Sequence, residues 1–252
     1  MIYLKSMKLE QVKSMDKMVL MVKGHEIWIE KPKIKGDTVE FGLCYGHNMA
    51  VDGSPDAKKI LSAVYAPDKT RIIPALKSGK NGHSFKFKAI KPGIYTAFVD
   101  MSPAIFSNTK KEGFKDGPKR LYKDVVYAGA WSQMAKTIFV VGENGGYKAE
   151  TVHAVLDIVP KEISAKVGKT VELTVYYEGK SLPGIEVKAV SKKEGKEMAS
   201  VITDKDGVAR VPITNDGKWM FIVRHRDPSK AVQDQYDEAV FVTTLSMEAI
   251  KS

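Results

Sequence analysis

From Ala154 to the C-terminus the chain falls into short alternating runs broken at regular intervals by turn residues, and that texture restricts its fold more than any other feature. Val171, Leu173, Val175 and Tyr177 alternate with Glu172, Thr174 and Tyr176, which is the period of a strand with one face buried. Similar runs cover Ala154 to Val159, Ile185 to Val190, Met198 to Thr203, Val208 to Ile213, Trp219 to His225 and Ala239 to Leu245. Pro160, Pro183-Gly184, the KKEGKE and DKDG segments and Asn215 to Gly217 separate them. Seven short strands at this spacing predict an immunoglobulin-like β-sandwich over 151–252. The antibody subclass is excluded, because the chain has one cysteine and no Cys-Trp-Cys core.

The first half is also β-rich. Gly24 to Met49 reads as two strands around a turn near Gly36, with Ile27 and Ile29, then Val39, Phe41 and Leu43, as the apolar sets. AVDGSPDA ends the second strand as a loop, and Phe85, Phe87 and Ala89 alternate with Lys86 and Lys88. A core strand follows over Ile94 to Val99, and Ser102 to Lys123 has no period and reads as a long loop. AWSQMAK has some helical character, but the β-branched and aromatic run Thr137 to Val141 favours a strand. No βαβ alternation suggests a nucleotide-binding sheet. The expected fold is all-β: a 1–23 extension without a clear fold, an N-terminal β-sandwich over 24–150 and the immunoglobulin-like sandwich over 151–252.

The formal charge is +10 and the pI about 9.4, which permits nucleic acid or an anionic surface as partner. The lysines, however, stand singly on alternating strand positions, and no nucleic-acid-binding motif accompanies them, so no nucleic-acid partner is expected. The longest apolar run before Gly24 is MVLMV, too short for a secretory core or a membrane span. No transmembrane segment is expected, and no signal peptide is visible. The single cysteine, Cys44, rules out an internal disulfide and any cysteine-cluster metal site, and it reads as a small filler residue. DKDG opens like a calcium loop, but Asn215 stands where the twelfth-position glutamate belongs, so it is a hairpin turn. GENGG lacks the phosphate-loop Lys and Ser/Thr and is a turn. With no nucleophile elbow, zinc-protease helix or paired catalytic carboxylates, no catalysis is expected.

The five histidines are His25, His47, His83, His153 and His225. If the first two strands pair around Gly36, residues whose numbers sum to about 72 face each other, and His25 stands opposite His47 with Cβ atoms roughly 5 Å apart. Two imidazoles at that spacing could share one ion at about 2 Å from each nitrogen. If the strands lie in different sheets, the two are rim histidines bonded to carbonyls. His83 sits in a Gly/Asn/Lys loop, where a solvated side chain is expected, and His153 lies near the domain junction. His225 ends a strand just before Asp227, Asp234, Asp237 and Glu238, which supply oxygen donors. Such donors suit nickel, cobalt, copper or zinc.

Several segments carry a resemblance. GHEIWIEKPKIKGDTVEFGLCYGHNM, PGIYTAFVDMSPAIFSNTKKEGFKDGPK, AWSQMAKTIFVVG, GKSLPGIEVKAV, TDKDGVARVPI, GKWMFIVRHRD and YDEAVFVTTLS follow the order seen in the extracytoplasmic two-β-domain accessory proteins of nickel and cobalt importers, formerly a domain of unknown function. The resemblance spans about Gly24 to Ser246. It implies delivery of nickel or cobalt to a membrane importer outside the cytoplasm, with His25 and His47 as ligands and His225 as a third. The chain departs from that family in front of His25: 24 residues precede it, whereas family members are exported and a histidine near a processed terminus can add the amine as ligand. Two rival functions remain open. One is a surface or adhesion protein whose sandwiches bind carbohydrate or protein. The other is an oxidative copper enzyme, which would require cleavage just before His25.

Overall fold

The computed structural model describes residues 24–143 and 146–251. The expected 1–23 extension lies outside the described residues, as do Asn144 and Gly145 of the ENGG turn. The first half contains β1 (Glu26–Ile29), β2 (Lys33–Lys35), β3 (Thr38–His47), β4 (Ala50–Gly53), β5 (Ile60–Tyr65), β6 (Arg71–Ile72), β7 (Ala75–Gly79), β8 (Gly82–Lys88), β9 (Gly93–Thr109), β10 (Gly113–Asp116) and β11 (Val125–Val141). The second contains β12 (Leu156–Pro160), β13 (Ala165–Lys166), β14 (Thr170–Tyr177), β15 (Lys180–Ser181), β16 (Glu186–Ser191), β17 (Lys196–Ile202), β18 (Val208–Pro212), β19 (Gly217–Asp227) and β20 (Glu238–Ile250). Among the described residues the only helical pieces are three short 3-10 turns. The chain is all-β, as its alternation predicts, and all seven strands read from the second half are present.

One ten-stranded sheet forms the middle of the molecule, in the order β17-β16-β19-β20-β11-β9-β5-β6 with β10 and β13 beside it. A six-stranded sheet built on β1-β3-β8-β7 and a four-stranded sheet built on β12-β14-β15 cover it. Side-chain alternation shows that they cover opposite faces. On β11, Met134 enters the core under the four-stranded sheet, whereas the next residue, Ala135, enters the core under the six-stranded sheet. On β19, Phe221 and Val223 pack toward the four-stranded sheet, whereas Met220 and Ile222 pack against Trp28 of β1. Two β-sandwiches, the second immunoglobulin-like, therefore share one continuous layer. The join is a parallel pairing of β11 with β20, from Gly129 opposite Glu238 to Thr137 opposite Ser246.

The sheet thus runs across the expected 150/151 boundary. A buried ion pair crosses it too: Lys136 on β11 donates to Asp157 on β12, and both are 1% exposed. Burial pushes the Lys136 pKa down, and Asp157 opposes that shift. The second Asp157 oxygen accepts the Val152 N–H at 3.0 Å. Removing either charge would leave the other buried without compensation, at a cost of about 3–5 kcal/mol.

The expected loop over Ser102 to Lys123 is largely strand. β9 continues to Thr109 and turns back through β10, pairing Gly113 with Thr109. The period fails there for a local reason: Met101 faces Gln133 while Ala104 faces Trp131, so Ser102 and Pro103 sit in a bulge where proline's missing N–H costs little. AWSQMAK is strand throughout, and it shows no two-residue alternation because both faces of β11 are covered.

Candidate metal centre

β1 and β3 pair with Glu26 opposite Gly46 and Ile27 opposite Tyr45, so partner numbers sum to 72. That register carries His25 and His47 to the same open end of the six-stranded sheet. β3 returns into β4 through Asn48 and Met49, with φ of 49° and 63° and His47 facing Ala50. Two central residues at positive φ make a type I′ hairpin turn. Asn tolerates this conformation; Met does so at a cost of about 1–2 kcal/mol. Burial offsets that cost, since Met49 packs beside Trp28, Met220 and Ile222. Gly46 is required by close approach: a Cβ there would stand 2.0 Å from the Ala50 carbonyl oxygen. Along the hairpin Tyr45 faces Gly53 but Gly46 faces Val51, leaving Asp52 as the extra residue of a bulge.

Asp52 completes the group. Its Oδ1 lies 3.3 Å from His25 Nε2, and its Oδ2 lies 3.7 Å from His47 Nε2. The His25 ring stacks on His47 with centroids 4.4 Å apart and on Tyr45 at 4.3 Å. One ligand atom from each of His25, His47 and Asp52 lies within 4.8 Å of the others. Donors sharing an ion at about 2.1 Å can be at most about 4.2 Å apart, so closure onto a metal needs a shift of less than about 1 Å. The His25 and Asp52 side chains, 35% and 42% exposed, can make that shift by rotation. Two neutral nitrogens and one carboxylate form a borderline donor set suited to a late divalent ion.

The surroundings favour neutral imidazole. Burial lowers the His47 pKa, and the neighbouring His25 lowers it further. Glu26, at the start of β1, approaches His47 Nδ1 with its Oε2 at 3.8 Å. Burial raises the Glu26 pKa while Arg224 of β19 pulls it back, donating from Nη2 to Oε1 at 3.4 Å. Glu26 Oε2 is buried and has no hydrogen-bond partner.

The structure brings His25 and His47 together, and it does not bring His225 to them. Along β19 Arg224 points to the β1 face and His225 to the other, where its ring lies 4.3 Å from Tyr177. One step of strand alternation thus separates His225 from the pair. Three of the four acidic residues after it have other partners: Asp227 accepts from Tyr177 at 2.5 Å, Asp237 from Lys119, and Glu238 from Arg226 and Tyr127. His83 is buried, not solvated as its loop-like context predicts, and donates from Nε2 to the Pro55 carbonyl at 2.7 Å. His153 is exposed in a turn with φ of 58°. Asp52 is the member that sequence reasoning missed. Its signal was the Asn48-Met49 turn, which folds AVDG back as a strand beside His47.

The profile of a family described as Domain of unknown function (DUF4198) matches residues 22–227. No curated protein sequence matches the chain. Similar solved structures include the BSP domain of a biofilm associated protein, at 11% identity and a TM-score of 0.23 over 86% of this chain and 29% of that one. They also include the D0-D1 domain of Intimin, at 12% identity and a TM-score of 0.23 over 88% and 97% of the two chains. Murine CEACAM1b is 12% identical with a TM-score of 0.23 over 90% and 100%. The chain spans 29% of the length of the first of these. Among the described residues no helix is long and apolar enough to cross a membrane.

Proposed function

The chain belongs to the DUF4198 family, whose profile covers most of its length, and we propose from its histidine cluster a function that the family's description leaves open: a metal-binding accessory protein that captures a divalent transition ion and feeds it to a membrane importer. The observation that carries this reading is the convergence of His25, His47 and Asp52 within 4.8 Å at an open sheet end. Nickel and cobalt are the first cargo, with copper and zinc as competitors for the same donors. The importer and a place outside the cytoplasm follow from the resemblance of the β1–β3 region and the segments after it. Asp52 takes the third ligand position in place of His225. The protein performs no catalysis in this reading; it binds and releases.

Calorimetric titration of nickel, cobalt, copper and zinc into the wild type and the His25→Ala, His47→Ala double variant tests it. The wild type should bind at least one ion micromolar or tighter and the variant should lose that binding. Equal, millimolar-weak binding by both would overturn the reading and favour a surface module for carbohydrate or protein. Ligation needs neutral imidazole, so affinity should fall as pH drops below about 6.5.

A further inference from the structure

We infer that Glu26 is a positioning residue for the metal centre: it accepts the Nδ1 proton of His47, is held in place by Arg224, and so leaves Nε2 as the ligating nitrogen. The inference rests on the metal-binding reading but concerns a residue outside the ligand group. His47 presents Nε2 to Asp52 at 3.7 Å and Nδ1 to Glu26 at 3.8 Å. An ion shared with Asp52 must take Nε2, which places the ring proton on Nδ1. The only acceptor shown beside that nitrogen is Glu26 Oε2, which is buried and has no hydrogen-bond partner. A movement of less than about 1 Å by the ring makes this hydrogen bond, and closure onto an ion needs a shift of the same size.

Arg224 serves the same end. It belongs to β19 in the second sandwich, and its guanidinium bonds the other Glu26 oxygen at 3.4 Å while its own Nε is left unpaired. The carboxylate is thus fixed by Arg224, with a contribution from the Asn48 backbone, while its Oε2 faces His47. Carboxylate acceptors behind ligating histidines orient the ring and raise its basicity, and their loss typically weakens metal binding about 10–100-fold.

Long-range proton–nitrogen NMR on the metal-free protein reads the tautomer of His47, identified by the signal lost in His47→Ala. Glu26→Ala should shift His47 toward the Nε2–H form while the amide spectrum stays native, and an unchanged tautomer would overturn the inference. On loading with cobalt(II) chloride, the exchangeable Nδ1–H resonance of His47 should exchange with water faster in Glu26→Ala than in the wild type. Nickel affinity should fall about tenfold or more. Glu26→Gln keeps an acceptor of the same shape and should rescue most of the tautomer effect; if the alanine variant does not fold, Glu26→Leu, which fills the space without an acceptor, replaces it and carries the same expected outcomes. Undiminished nickel affinity in a folded Glu26→Ala protein would also overturn the inference. Failure of the wild type to bind any ion, with the tautomer shift intact, would instead sink the metal reading and leave the Glu26–His47 contact standing.

Discussion

The two ends of β1 carry the same chemistry put to opposite uses. Glu26 opens β1 and Glu30 immediately follows it, and each meets cations from the second sandwich: Arg224 for the first, Lys192 and Lys218 for the second. Glu30 is saturated. Lys192 donates to Oε1 at 2.7 Å, Lys218 donates to Oε2, and Trp28 Nε1 approaches at 3.3 Å. Burial pushes its pKa up, but the two lysines outweigh that and hold it at about 2. Glu26 is more deeply buried, has one cation, and keeps an oxygen without a partner beside an imidazole. A carboxylate with both oxygens engaged by cations is a clamp, whereas one with a buried oxygen left over is placed to accept the ring proton of the imidazole beside it. In the proposed metal-binding reading, the difference separates a structural end of the strand from a functional one.

The largest expected effect tests that division directly. Replacing His25 and His47 by alanine should weaken nickel binding by about 10²–10³-fold, while Glu30→Gln leaves it unchanged within error in the same titration. A loss of nickel binding in Glu30→Gln would erase the contrast between the two ends.

The next effect is on stability. Arg224→Met leaves Glu26, whose side chain is 10% exposed, without its cation. It should cost about 2–4 kcal/mol in urea unfolding, near the range for breaking a buried pair. Lys218→Met should cost less, about 1 kcal/mol or under, because Glu30 retains Lys192 and these lysines are 34% and 42% exposed. Equal losses would mean that the two carboxylates are equally structural.

Acid titration sharpens the comparison further. The folded pKa of Glu30 is about 2, below the ordinary 4.5, so its stabilisation is fully present above pH 4.5 and is lost as pH falls through about 2. Glu26 is shifted the other way, so its stabilising contribution is present below its ordinary pKa and lost as pH rises through the folded value. Glu30→Gln should therefore flatten the fall in stability between pH 4.5 and 2, whereas Glu26→Gln should not. Unfolding midpoints across that window in the two variants decide it.

How much of this was legible beforehand follows from what alternation can carry. The second sandwich was readable because its strands have one wet face, as in β14, where Val171, Leu173 and Val175 point inward between partly exposed neighbours. β11 and β20 are covered on both faces, so their period is lost, and with it the parallel pairing that joins the two halves into one sheet. The His25–His47 pairing was legible only approximately: the turn at Gly36 sets a partner sum of 73 between β2 and β3, and an extra residue at Lys31-Pro32 shifts it to the 72 that places His25 opposite His47. Asp52 was not, since it depends on a type I′ turn made with Met49 in place of glycine and on a one-residue bulge. His225 could have been assigned from sequence: in WMFIVRH it shares the parity of Trp219, Phe221 and Val223, the face that packs toward the four-stranded sheet.

The smallest effect concerns Cys44, which pairs with Trp28 across β1 and lies beside Glu30. Burial pushes its thiol up to about 11, and the Glu30 charge adds to that shift. Two units above the ordinary value lower the thiolate fraction about a hundredfold at pH 8, so iodoacetamide should label Cys44 far more slowly than a free thiol. Glu30→Gln removes the second cause and leaves Lys192 and Lys218 unpaired nearby, so labelling should quicken, but only by about two- to fivefold, because burial remains. Glu26→Gln should leave the rate alone. If Glu26→Gln quickened labelling as much as Glu30→Gln, the two ends of β1 would be coupled, and the clamp at Glu30 could not be separated from the candidate metal centre at His25 and His47.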